Sequence, residues 1–134
     1  MTPAAIAPPS ESGAITFVDG LPGFETCRRY VLVASPALDP FTCVHGIGED
    51  APAFLAIDPR QVIDGYCCEL TPADRVKLEA GSGRPLLWLA IVNGAGHGNP
   101  TVNLRAPIVI NPETMRGLQL LGDTAYSVDH PLGH

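Results

Sequence analysis

No apolar run in this chain approaches the eighteen or so residues that cross a bilayer, and the opening MTPAAIAPPSESG has neither the basic start nor the long apolar stretch of a secretory signal. Membrane insertion is not expected, and the expected location is the cytoplasm. Basic residues are also few: eight Lys and Arg stand against 14 Asp and Glu, a formal net charge of −6. Proteins that bind nucleic acid neutralise phosphates with a basic face, so direct nucleic-acid binding is not expected. An acidic exterior instead favours encounter with a basic protein. No CxxC pair occurs among Cys27, Cys43, Cys67 and Cys68. Adjacent Cys67 and Cys68 would face opposite sides of a strand, which argues against a disulfide framework or a zinc knuckle. The nucleophile-elbow pattern G-x-S-x-G is missing, so acyl-transfer chemistry has no support, and no period of 20 to 50 residues marks a repeat array.

What is present is glycine and proline, 14 of each, in a chain of 134 residues that is 46% hydrophobic. That length and apolar content fit one domain with a real core. The frequent turn residues fit many short strands better than a helical bundle. Residues 1–13, rich in Ala, Pro and Ser, are expected to form a disordered leader, and 14–132 the domain.

Alternation predicts strands over AITFV (14–18) and RYVLVAS (29–35), and a hairpin from FTCVHGI (41–47) and PAFLAI (52–57) around Gly48-Glu49-Asp50. The continuous apolar run PLLWLAIV (85–92) predicts a central strand covered on both faces. GLQLL (117–121) and AYSV (125–128) read as a final hairpin. One helix is expected, near 71–81. Thr71 suits its N-cap, Pro72 its first position, and Asp74 closes a capping box, while Gly81 supplies the stop and Val76 and Ala80 face inward. The sum is a mainly β fold, a small antiparallel barrel-like domain with one short helix.

Residues 101–111, TVNLRAPIVIN, start and finish as a strand but carry Arg105-Ala106-Pro107 between. Proline has no N–H for a sheet ladder, so two short strands or one bent strand at a rim are expected. Such an edge would be a ready docking surface for another chain. Two stretches invite a chemical reading. NGAGHGNP (93–100) has the glycines of a phosphate loop, but the TVNL after it is strand-like where a phosphate loop needs a helix, so a hairpin loop is the better reading. Cys43 and His45 share one face of a strand and, with Cys67 or Cys68, could form a soft-metal site or a thiol-dependent enzyme centre, although nothing in the spacing requires it.

Two segments resemble a known family. FVDGLPGFE (17–25) is similar to the early G-L-P-x-F-E signature of the flagellar assembly factor FliW family, and TVNLRAPIVIN to its T-x-N-L-x-A-P-I-x-I-N segment. Phe41, Ala53-Phe54 and Asp58-Pro59 come in compatible order between them, and Gly117-Leu118-Gln119 and Tyr126 with His130-Pro131-Leu132 come in compatible order after them. The resemblance implies a non-enzymatic β-barrel without cofactor, metal or small-molecule substrate. It implies binding to flagellin near its chain end and, when flagellin is absent, to the RNA-binding regulator CsrA, whose repression of flagellin mRNA translation is thereby relieved. Partner contacts are expected on Leu21, Pro22, Phe24 and Glu25 and on Asn103, Leu104 and Arg105.

Overall fold

The computed structural model describes residues 13–81, 85–94, 98–121 and 125–132. Apart from Gly13, the expected leader lies outside them. Nine strands are found among the described residues: β1 (Ile15–Phe17), β2 (Arg29–Val33), β3 (Phe41–Gly46), β4 (Ala53–Ile57), β5 (Leu87–Asn93), β6 (Thr101–Val102), β7 (Ile108–Asn111), β8 (Arg116–Gln119) and β9 (His130–Pro131). A 3-10 turn (Pro59–Gln61) and one helix, α1 (Pro72–Leu78), lie between β4 and β5. The order β4-β3-β2-β1-β8-β7-β5, together with pairing of β4 to β5, closes seven strands into a barrel. β1 and β8 pair in parallel, and the other pairs are antiparallel. β6 continues from β5 and carries β9 on its outer edge.

Period-two alternation sets which residues fill the interior. Ile15, Phe17, Tyr30, Val44, Ala56, Leu89, Ile108 and Ile110 are buried there. The register brings inward residues opposite each other around the wall, as in Ile15 with Tyr30, Val44 with Phe54 and Leu89 with Ile108. The Phe17 ring meets the Tyr30 ring edge-on at 5.2 Å. β5 is apolar on both faces for the predicted reason. Its outward Ala90 and Val92 pack with Val102, Leu104 and Tyr66 in a second cluster, and its outward Trp88 joins a third cluster beneath α1.

The capping box of α1 is present: Thr71 Oγ1 accepts from the Asp74 N–H at 3.1 Å and Asp74 accepts from the Thr71 N–H at 2.9 Å. The buried face matches the expected one only in part: Ala80, just beyond the helix, packs inward, but Val76 does not. Val76 is 76% exposed, and Leu78 is buried against Val109, Leu118 and Leu120. Nor does the helix run to Gly81. Glu79 adopts φ 54°, the left-handed position usual for glycine, and its N–H returns to the last turn. The cause is tertiary. Asn111, only 3% exposed, donates through Nδ2 to the Leu78 and Glu79 carbonyls, and Thr114 Oγ1 donates to Leu78 O. This clamp from the β7–β8 turn fixes the end of α1 and thus its phase. Asn111→Ala is expected to destabilise the protein by about 1–3 kcal/mol, since buried carbonyls lose their donor. A urea midpoint equal to that of the parent would exclude the clamp.

The expected final hairpin is not formed. Residues 125–129 are turns, and the closing strand is β9, paired with β6. The Tyr126 ring instead packs against Tyr66, with centroids 4.5 Å apart and the planes tilted by 33°. Residues 101–111 do form two short strands, β6 and β7, but the segment between them is no open edge: Leu104 is 1% exposed and Pro107 is fully buried. The 93–100 segment joins antiparallel β5 and β6, a strand-to-strand connection as expected, with His97 outside the described residues.

Candidate functional site

The loop from β1 to β2 begins with a tight turn in which the Gly20 N–H reaches Phe17 O at 2.9 Å. Gly20 has φ 72°, and its Cα face lies so near Glu25 that an added Cβ would sit 3.2 Å from the Glu25 Cα. The turn drives Leu21, 2% exposed, into the barrel end. Pro22 and Phe24 stay at the surface. A second turn, closed by the Phe24 N–H to Leu21 O at 2.8 Å and by Glu25 Oε2 accepting from the Gly23 N–H, sets Phe24 over Phe54, with ring centroids 5.2 Å apart at 75°.

Across from this loop stands the segment between β6 and β7. Asn103 Oδ1 accepts from the N–H groups of Arg105 and Ala106, both at 3.1 Å, and so shapes the turn from within. The Asn103 N–H bonds Ile91 O and the Leu104 N–H bonds Ser127 O. Leu104 O accepts from Tyr66 Oη at 2.6 Å, and Ala106 O accepts from Gln119 Nε2. Arg105 Nε donates to Tyr126 O at 2.9 Å. The N–H groups of 103–106 and the carbonyls of Leu104 and Ala106 are thus satisfied from inside, so the expected docking edge offers no row of free N–H groups.

Between the two segments lies a groove of about 510 Å³. It is lined by Leu21, Pro22 and Phe24 of the first loop, by Asn103 and Ala106 of the second, and by Phe54, Ile91, Asn93, Gln119, Leu120 and Leu121, with the exposed Phe24 and Leu121 as its lips. Phe24 is 42% exposed and Leu121 is 90% exposed, so both lips are apolar and open. The structure thus brings together Leu21, Pro22, Phe24 and Asn103 of the expected contact residues. Glu25 stands beside the groove in its turn, Leu104 lies beneath in the core, and Arg105 ties the loop to Tyr126. Sequence reasoning missed Leu121. In GLQLL two adjacent leucines break the alternation, a signal that one of them must face outward.

The cysteine and histidine alternative gains no support. Among the described residues no three His, Cys, Asp or Glu side chains are placed to hold a metal ion. Burial pushes the Cys43 thiol up, away from the thiolate that a nucleophile needs. His45 Nδ1 is engaged with Gly46 O at 2.8 Å.

Two tyrosines support the site from below. Burial pushes Tyr30 well above its ordinary value of 10.0, with the Cys27 thiol beside it adding to the effect. That thiol points to the Arg29 and Ile47 carbonyls, and Tyr30 Oη has no hydrogen-bond partner among the described residues. Burial likewise raises Tyr66, with smaller contributions from Cys68, Tyr126 and Cys67. The unfolded chain ionises both phenols near pH 10, whereas the folded chain keeps them neutral, so their share of stability is intact below pH 10 and falls as pH rises beyond it. The phenolate absorbance of Tyr30 and Tyr66, identified by Tyr→Phe variants, should rise only as the β-sheet circular dichroism is lost. Full ionisation with the dichroism intact would contradict their burial.

Fold and site together define a small closed β-barrel with an uncharged, open apolar groove and, among the described residues, no His, Cys, Asp and Glu cluster placed to hold a metal ion. The FliW protein family matches residues 5–132. The chain is 32% identical over 126 residues to the flagellar assembly factor FliW of Natranaerobius thermophilus, covering 92% of this chain and 83% of that protein. It is 34% identical to the one from Clostridioides difficile, covering 88% and 92%. A crystal structure of the flagellar assembly factor FliW superposes with a TM-score of 0.85 at 26% identity, covering 96% of this chain and 91% of the other. The chain belongs to the FliW family of flagellar assembly factors.

Proposed function

We propose that this chain acts as a non-catalytic factor that binds flagellin in the cytoplasm and, when free of flagellin, binds CsrA and relieves its repression of flagellin mRNA translation. The observation that carries the reading is the convergence of the two family-like segments, 17–25 and 101–111, on one groove whose lips, Phe24 and Leu121, are exposed. Apolar side chains gathered at an open groove gain stability when a partner covers them. The net charge of −6 adds long-range attraction for a basic regulator. In this reading Pro22, Phe24 and Asn103 touch the partner, Glu25 flanks it, and Leu21, Leu104 and Arg105 hold the surface in shape.

The test is calorimetric titration of the purified protein with the matching flagellin and, separately, with CsrA, together with a translation reporter under a flagellin leader sequence. Saturable one-site binding to flagellin, binding of CsrA by the flagellin-free protein, and recovery of reporter translation are expected. The absence of a complex with either protein would sink the reading.

A further inference from the structure

The groove also constrains what kind of segment enters it. No Asp, Glu, Lys, Arg or His lines it among the described residues. Its apolar surface comes from both lips and from Phe54 and Ile91 below. Of its polar lining residues, Asn103 through Oδ1 and Gln119 through Nε2 are already committed to backbone partners inside the protein, and the third, Asn93, is uncharged. An occupant with charges at its contact positions would lose their hydration and find no counter-charge. The occupant's form is constrained as well. An extended segment that adds a strand needs a row of free N–H and C=O groups. Here the N–H groups of Asn103, Leu104, Arg105, Ala106 and Leu120 all have partners, as do the carbonyls of Leu104, Ala106 and Pro107. What remains is recognition by side chains alone, which a helix achieves by presenting apolar residues at i, i+3, i+4 and i+7 along one face.

We infer that the groove takes the uncharged apolar face of an amphipathic helix from the flagellin chain, and that apolar burial holds this complex, with no ion pair across the groove. The inference rests on the flagellin-binding reading above and deepens it. Attraction of a basic partner to the acidic exterior is a separate, salt-dependent effect acting elsewhere on the surface.

The experiment measures flagellin affinity between about 0.1 and 1 M NaCl, where the Debye length falls from about 10 to about 3 Å. Leu121→Glu and Leu121→Lys are compared with the parent, and the ¹³Cα shifts of labelled flagellin are recorded in the parent complex. Leu121 is 90% exposed, so neither substitution removes a core contact. The parent Kd should stay within about threefold across the salt range, and both variants should weaken binding by about tenfold or more, in the same direction. The bound segment should show helical ¹³Cα shifts. Opposite effects of Glu and Lys, a tenfold loss of affinity with salt, or extended-chain shifts would overturn the inference while leaving flagellin binding intact. If the parent does not bind flagellin, the functional reading falls first and this one with it.

Discussion

Gly117→Ala is expected to destabilise the protein by about 1–3 kcal/mol, and Gly117→Val by more, because the position has no room for any side chain. A Cβ at Gly117 would sit 2.7 Å from Phe17 Cε1, 3.0 Å from Phe17 Cδ1 and 3.3 Å from Ile15 Cγ2. Phe17 is fully buried and wedged edge-on against Tyr30, so its ring has nowhere to retreat. Gly117 pairs with Phe17 across the parallel β1–β8 seam and with Ile110 across β7–β8, so it is flanked by strands on both sides. The measurement is the urea midpoint of each variant, and of Gly117→Ala combined with Phe17→Leu. If steric overlap with the ring is the cause, the pair should be less destabilised than the sum of the single changes. Strict additivity would place the fault elsewhere, and an unchanged midpoint for Gly117→Ala would refute the close approach.

That glycine also shows where sequence reading stops. Elements whose logic is local were legible. The β3–β4 hairpin comes from alternation around Gly48-Glu49-Asp50, the Thr71–Asp74 capping box from residue type at a fixed spacing, and the two-sided burial of β5 from an unbroken apolar run. What depends on distant partners was not. The inward face of α1 is chosen by Asn111 and Thr114, more than 30 residues away, which is why Leu78 and not Val76 is buried. Tyr126 looks like a strand residue until its ring finds Tyr66. Closure of β8 onto β1 joins segments about a hundred residues apart, and no local pattern announces it.

The same division runs through the site. The family-like segments 17–25 and 101–107 meet at one groove, and the sequence order alone does not say so. They did not separate residues that build the surface from residues that form it. Leu21 and Leu104 are apolar residues in turns, and whether such a residue points in or out is decided by the core it finds. Arg105 carries a charge that suggests a partner, yet its Nε is bound to Tyr126 O within the fold. Much of what makes these segments distinctive is thus explained by folding: Asn103 shapes a turn, Gln119 braces Ala106, Asn111 clamps α1 and Pro107 is buried.

Phe24 is the residue that folding explains least, and the second large effect is expected there. Its ring contributes an edge-on contact with Phe54 but remains 42% exposed at the lip of the groove. Phe24→Asp should therefore lower stability only by about 0.5–1.5 kcal/mol, the value of one aromatic pair. Its effect on flagellin affinity should be larger, about 2 kcal/mol or more, a loss of roughly thirtyfold, because an aromatic anchor is removed and a charge is left facing an apolar partner. Phe24→Leu should recover part of the affinity, since it keeps an apolar surface without the ring, whereas a role in shaping the turn would make Leu and Asp behave alike. The two readouts, a denaturation midpoint and a binding titration on the same variants, distinguish these causes. Parent-like affinity in Phe24→Asp would mean that flagellin docks elsewhere, and that the exposed ring serves only to cover Phe54.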